Sequence, residues 1–282
     1  MSVPRFAVGL CDDAAVFPPG SMPLPEAVPA HVRHKRSPYA ALVGSFIVAA
    51  PALEELGTLL AGGDPVLDLV VTLPGGPDQL PGAVSAAAGL PVRLAGVEVA
   101  VPPGLAAADL LAALDRAAPA GVPVFVEVPR DELRPEIVAA LPATPYRAKF
   151  RTGGVKAGLH PDEAELAAAI RAVVDAGVPF KATAGLHHAV RNTDPETGFE
   201  QHGFLNILLA VDAALAGAAE DDLVTILARR DGTAVAAGIT DLDGSRAEAV
   251  RARFLSFGTC SITDPLADLT ALGLADGEGD PA

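Results

Sequence analysis

The feature that most constrains this chain is a repeated alternation. Apolar, β-branched runs are followed by Ala- and Leu-rich stretches of helical period, from one end of the sequence to the other. That pattern marks βαβ units and a parallel sheet covered by helices. SFIVAA (45–50) leads into PALEELGTLLAGG, LDLVVTL (67–73) into a Gly/Pro turn and an Ala-rich helix, and VRLAGVEVAV (92–101) into LAAADLLAALDRAA. VPVFVEVP (122–129) leads into DELRPEIVAAL and YRAKFR (146–151) into HPDEAELAAAIRAVVDAG, where Pro161 is expected at the first helical position and Gly177 as the stop. VPFKATAG (178–185) and FLSFGTCSI (254–262) complete seven strands. The eighth is RFAVGL (5–10) or LVTILA (223–228), and the first is preferred, with 24–43 as its return helix. The expected fold is therefore a single α/β domain, a (β/α)8 TIM-type barrel over residues 1–274, followed by a disordered polar tail, 275–282. A doubly wound open sheet is the alternative, but no GxGxxG or P-loop supports it.

Composition narrows the partners. A net charge of −15 argues against nucleic acid and against anionic membrane surfaces. No apolar run reaches the roughly 18 residues needed to span a bilayer, and MSVPRFAVGLCDDAAVF does not read as a secretory signal. Cys11 and Cys260 form neither a disulfide framework nor a metal-ligand spacing, which fits a reducing cytoplasm. The Ala-rich helical surface leaves room for a homo-oligomer.

The chain has four lysines, and two of them stand in apolar strands, 149 and 181. In a barrel the outer face of each strand packs under helices, so a strand charge points inward, where the upper end meets ligand. Period-two alternation sends Ala148, Phe150, Phe180 and Ala182 outward. It sends Arg147, Lys149, Arg151, Lys181, Thr183 and Glu127 inward, with Asp68 and Glu98 as further candidates. Structural ion pairs plugging the barrel would explain any one of these charges. Several clustered cations are costly unless paired or met by an anionic ligand. Crowding would also lower a lysine's pKa and yield the neutral amine that attacks carbonyls.

At these residues the sequence resembles deoxyribose-phosphate aldolase and its class I aldolase relatives, over roughly 65–262. Lys149-Phe-Arg-Thr-Gly153 is similar to that family's Schiff-base strand end, and Lys181-Ala-Thr-Ala-Gly185 to its second lysine stretch. Gly258-Thr259-Cys260-Ser261 is similar to its phosphate loop, and FVEV with Glu127 to the strand before the reactive lysine. The resemblance implies that Lys149 forms the imine, that Lys181 depresses its pKa, and that Gly153, Gly185 and Ser261 lie near the substrate's anionic group. Arg151 stands where the family has a small polar residue, and AGLHHAVR replaces its Gly-Gly-Ile-Arg pattern.

The loop GLHHAVRNTDPETGFEQHGFLN (185–206) is expected at the catalytic face, with its DPETG turn as a lid. His187 and His188 are candidate acid/base groups, and Arg191, His202 and Asn206 candidate anion contacts. With Glu200 the three histidines form the alternative, a divalent metal site, although no HxH or HExxH spacing occurs. His160 reads as a helix-boundary residue. Asp12 and Asp13 read as loop carboxylates that cap or solvate, and HVRHKR (31–36) as a solvated helix face. The expectation is a cofactor-free lyase that makes an imine with a small anionic carbonyl compound, a sugar phosphate or keto acid. Arg151 holds the anion, and Glu127 or a loop histidine moves the proton. The rivals are a metal-dependent lyase or hydrolase built on the histidine loop, and a non-catalytic barrel that binds an anionic metabolite.

Overall fold

The computed structural model describes residues 2–61 and 66–276. Eight parallel strands close into a barrel: β1 (Cys11–Asp13), β2 (Val43–Ala49), β3 (Leu67–Leu73), β4 (Val92–Ala100), β5 (Val124–Glu127), β6 (Arg147–Arg151), β7 (Phe180–Thr183) and, after a short ribbon, β10 (Phe254–Thr259). Each strand pairs with its neighbours in sequence, and β10 closes the ring by pairing with both β7 and β1. The ribbon, β8 (Asn192–Thr193) and β9 (Glu200–Gln201), is antiparallel and frames the DPETG turn expected as a lid. Asp194 Oδ1 accepts the N–H groups of Glu196 and Thr197 and so fixes that turn.

The first strand is shifted from its expected place. Arg5–Ala7 form a 3-10 turn after Pro4, and Gly9 takes φ +60°, so RFAVGL does not extend. Pairing begins where Phe257 N donates to Leu10 O, and the strand proper is Cys-Asp-Asp. Asp12 and Asp13 therefore belong to the barrel wall, both buried, and are not the loop carboxylates the sequence suggests. The other candidate, LVTILA, lies in a helix, Glu220–Leu227. Three acids in its first turn favour the helix dipole, and Leu223 and Leu227, four apart, bury one face. The helix after β6, Glu163–Asp175, starts later than Pro161 suggests, because Asp162 caps it by accepting Glu165 N at 2.8 Å. Of the tail expected from 275, Ala275 is buried and residues 277–282 lie outside the described residues. Among the described residues no helix is long and apolar enough to cross a membrane.

The alternation predicted for β6 and β7 places aromatic rings under the helices. Phe180 stands between Phe150 and Phe254, with ring centroids 5.5 and 5.2 Å away, and Phe204, from the buried helix Phe204–Leu215, stacks on Phe257 at 5.0 Å. The lumen is sorted by height. Arg147 lies over the Phe125 ring near the lower mouth, and Gly96 leaves room for that ring, since a Cβ there would lie 3.3 Å from it. Asp68, also at a strand's lower end, pairs with exposed Arg93 at 2.5 Å, away from the lysines. Above Phe125 come Lys181, then Lys149 and Arg151.

Phe180→Ala removes the middle ring of the outer stack and leaves a cavity, which should cost about 3–5 kcal/mol. Urea unfolding is expected to show this as a lower midpoint with an unchanged slope.

Candidate active site

Strand register brings the charges together. Glu127 on β5 pairs with Lys149 on β6, and Lys149 with Lys181 on β7. Both lysines are almost wholly buried, at 4 % and 1 % exposure. Neither is left to repel the other, because Glu98 on β4 stands between them. Its Oε2 lies 2.7 Å from Lys149 Nζ and its Oε1 2.5 Å from Lys181 Nζ, two ion pairs on one carboxylate. Lys149 also pairs with Glu127 Oε2 at 3.0 Å, and Lys181 donates to Asp12 Oδ2 at 2.7 Å. Arg151 closes the chain, its Nε donating to Glu127 Oε1 at 3.0 Å and its Nη2 lying 2.9 Å from the same oxygen. Asp12 is fixed from its other sides by Ser256 Oγ at 2.6 Å and Ser45 N at 2.8 Å.

Three cations thus meet three carboxylates, and the cluster is neutral. Direct crowding of two lysines, expected from the sequence, is replaced by a shared carboxylate. Burial alone would raise the Glu98 pKa, but the two ammonium groups outweigh it and hold the carboxyl down at about 2. Burial also works against the charge on Lys181, yet Asp12 and Glu98 raise it well above the usual lysine range. That shift favours the charged form of Lys181. Glu127 is also lowered, by Lys149 and Arg151 against its own burial.

A cavity of about 310 Å³ opens above this cluster at the carboxyl ends of the strands. Lys149, Glu98, Glu127 and Arg151 line it, and Lys181 does not. Its other wall carries Ile47, Leu73 and Phe17, and its rim the β6 loop, which His160 holds in place. That histidine contacts Gly154 O at 2.9 Å and Glu200 O at 3.1 Å and packs on Phe199, which ties the loop to the ribbon and gives it more than a helix-boundary role.

The histidine loop divides. His187 lines the cavity, with Nδ1 3.6 Å from Cys260 Sγ and 3.5 Å from Thr259 Oγ1. Burial pushes its pKa down, so it is neutral and able to take a proton. His188 faces the outside and pairs with Asp268 at 3.2 Å. His202 is fully buried with Nε2 2.9 Å from Pro161 O, and burial together with Arg191 lowers its pKa to about 4. Arg191 is buried against Glu163 at 2.8 Å. Asn206 accepts Arg191 N and donates to the carbonyls of Ile226 and Arg229. His188, Arg191, His202 and Asn206 therefore do not line this cavity. They fasten the loop to the helices behind it. The three histidines do not converge, and among the described residues no group of three His, Cys, Asp or Glu side chains could hold a metal ion.

The glycines and serine are sorted as well. Gly185, at φ +69°, lines the cavity. Gly153 does not line it and instead touches Gly185, since a Cβ on it would lie 2.8 Å from Gly185 Cα. The two loops can approach only because neither residue has a side chain. Ser261 points away, with Oγ 3.1 Å from Thr263 Oγ1 and accepting Asp264 N. Asp13 and His31 form a buried pair at 3.0 Å below helix Leu24–Lys35, so His31 is not part of a solvated face.

Asp12 joins the cluster although its sequence setting suggests a loop, and Glu98 takes the central place although the sequence offers it only as a further candidate. The signal for Asp12 was an inward position on a strand only three residues long. For Glu98 it was the single acid in VRLAGVEVAV.

No family model, no curated protein and no solved structure matches the chain.

Replacing Glu98 with Gln leaves two buried ammonium groups short of one negative charge, which should cost about 3–5 kcal/mol at neutral pH. Because the folded-state pKa of Glu98, about 2, lies below its ordinary value of 4.5, its contribution is full above that value and fades as pH falls toward 2. Wild-type stability should therefore decline across that window, and the Glu98→Gln variant should decline less steeply in a pH series of urea titrations.

Proposed function

We propose that this barrel is an imine-forming lyase that makes or breaks a carbon–carbon bond in a small anionic carbonyl compound, with Lys149 as the nucleophile. The observation that carries the reading is the asymmetry of the two lysines. Lys149 lines the cavity while Lys181 lies beneath it, held charged by Asp12 and Glu98.

The chemistry follows from what each group can do. As the substrate's anion draws Arg151 away from Glu127 and so restores the carboxylate's basicity, Glu127, 3.0 Å from Lys149 Nζ, takes a proton from the ammonium and frees its lone pair. The amine adds to the carbonyl carbon and gives a carbinolamine. Glu127 returns its proton to the carbinolamine hydroxyl, which leaves as water, and the nitrogen becomes an iminium ion. The bond between the α and β carbons then breaks, its electron pair moves toward the iminium to form an enamine, and the β-hydroxyl proton passes to neutral His187. Protonation at the α carbon and addition of water release Lys149. Glu98 stays ionised throughout and stabilises positive charge on the Lys149 nitrogen, whether as ammonium or iminium. Arg151, with about a third of its side chain exposed, is the anchor for the substrate's anionic group.

A second reading is a non-catalytic barrel that binds a small anion. The complete pairing of both lysines with carboxylates favours it. Reduction with borohydride in the presence of carbonyl compounds separates the two. The lyase reading expects a stable adduct, mapped by peptide mass to Lys149 and missing from Lys149→Met. Calorimetric binding of the same compounds with no adduct on either lysine would establish the second reading instead.

A further inference from the structure

The lining of the cavity is lopsided. Its charged groups gather on the floor and one wall, while Phe17, Ile47, Leu73 and Pro74 form the other wall and Val155 and Leu159 the rim. Among the described residues Arg151 is the one cation besides Lys149 that lines it, and Arg151 already shares its charge with Glu127. A phosphoryl dianion here would face two ionised carboxylates with a single partly neutralised guanidinium, which is poor compensation for two buried charges. Ser261 and Arg191, the other groups expected on an anion, do not line the cavity: Ser261 accepts Asp264 N and Arg191 pairs with Glu163. A monoanion suffers much less.

The spacing of the floor says which monoanion. Lys149 and Arg151 grip the two oxygens of one carboxylate, Glu127, at 3.0 and 2.9 Å. The ammonium and the guanidinium therefore stand about a carboxyl group apart. A substrate carboxylate on Arg151 would bring a directly adjacent carbonyl to Lys149. A cavity of about 310 Å³ leaves room for a chain beyond that carbonyl, and the surfaces it meets are apolar.

We infer that the substrate class is a 2-oxo acid with an apolar chain, and not a sugar phosphate. This deepens the imine reading and rests on it. For a 4-hydroxy-2-oxo acid the imine forms at C2 and the C3–C4 bond breaks. The C4 hydroxyl proton goes to His187. The apolar part leaves as an aldehyde, and the C2 enamine takes a proton at C3 and water at C2 to leave as a three-carbon 2-oxo acid.

The test is borohydride trapping with four probes: 2-oxooctanoate, pyruvate, octan-2-one and 2-deoxyribose 5-phosphate. Half-maximal labelling of Lys149 by 2-oxooctanoate is expected at a concentration about tenfold or more below that of each other probe, since tail and carboxylate each add binding free energy. Arg151→Leu should remove the advantage over octan-2-one. Val155→Asp, at a position 63 % exposed and so tolerated by the fold, should shrink the advantage over pyruvate. Labelling by the sugar phosphate at equal or lower concentration would overturn the assignment while leaving the imine reading intact. Equal labelling by octan-2-one or by pyruvate would overturn it too. If no probe labels Lys149, the imine reading fails, and calorimetry with the same probes then reads the cavity's preference separately. Tighter binding of 2-oxooctanoate would keep the apolar oxo-acid class for a binding site, and any other order would overturn it.

Discussion

Glu98 forms an ion pair with one lysine on each of its oxygens, at 2.7 and 2.5 Å, and the upper half of the barrel depends on that bridge. Two ammonium groups on neighbouring strands, in register with each other, cannot both be buried in an apolar lumen without compensation. Glu98 supplies the shared half of it, and Asp12 and Glu127 supply one further carboxylate on each side. Remove the bridge and the lysines repel. Keep it, and three strands are tied across the lumen by groups whose positions are mutually determined. The apolar floor beneath, Phe125 in the space left by Gly96, keeps water from competing for these pairs.

The same bridge sets the chemistry proposed for Lys149. A neutral cluster can be buried at modest cost, but it becomes net negative once a proton leaves Lys149 for solvent. An iminium ion on that nitrogen restores the balance. The surrounding carboxylates thus favour the cationic imine over the neutral amine, which is the preference an electron sink requires. Lys181 contributes by staying charged, so that Glu98 and Asp12 remain ionised and in place.

Much of this was legible in the sequence because period-two alternation is a strong constraint on a buried strand. It placed Lys149, Arg151, Lys181 and Glu127 inward and Phe150 and Phe180 outward, as they stand in the fold. Asp12 was hidden because β1 has only three residues, too few to show a period, and two of them are acids. Glu98 lies on a strand whose pairing with β3 shifts register near Leu69, so counting along β4 alone does not give its height in the lumen. The histidine loop was legible only in part, for a different reason. A loop's position at the catalytic face says nothing of where each side chain turns, and Arg191, His202 and Asn206 turn back to Glu163, Pro161 O and the backbone behind the loop.

Hydrogen exchange at the carbon next to a bound carbonyl tests the central claim most directly. An iminium ion at Lys149 makes that carbon acidic through the enamine, so a 2-oxo acid incubated with the protein in heavy water should lose its α-proton signals in the NMR spectrum. The expected result is loss with the wild-type protein and none above background with Lys149→Met. Exchange that persists in Lys149→Met, or is absent from a wild-type protein shown to bind the compound, would contradict the assignment of Lys149 as the imine-forming residue.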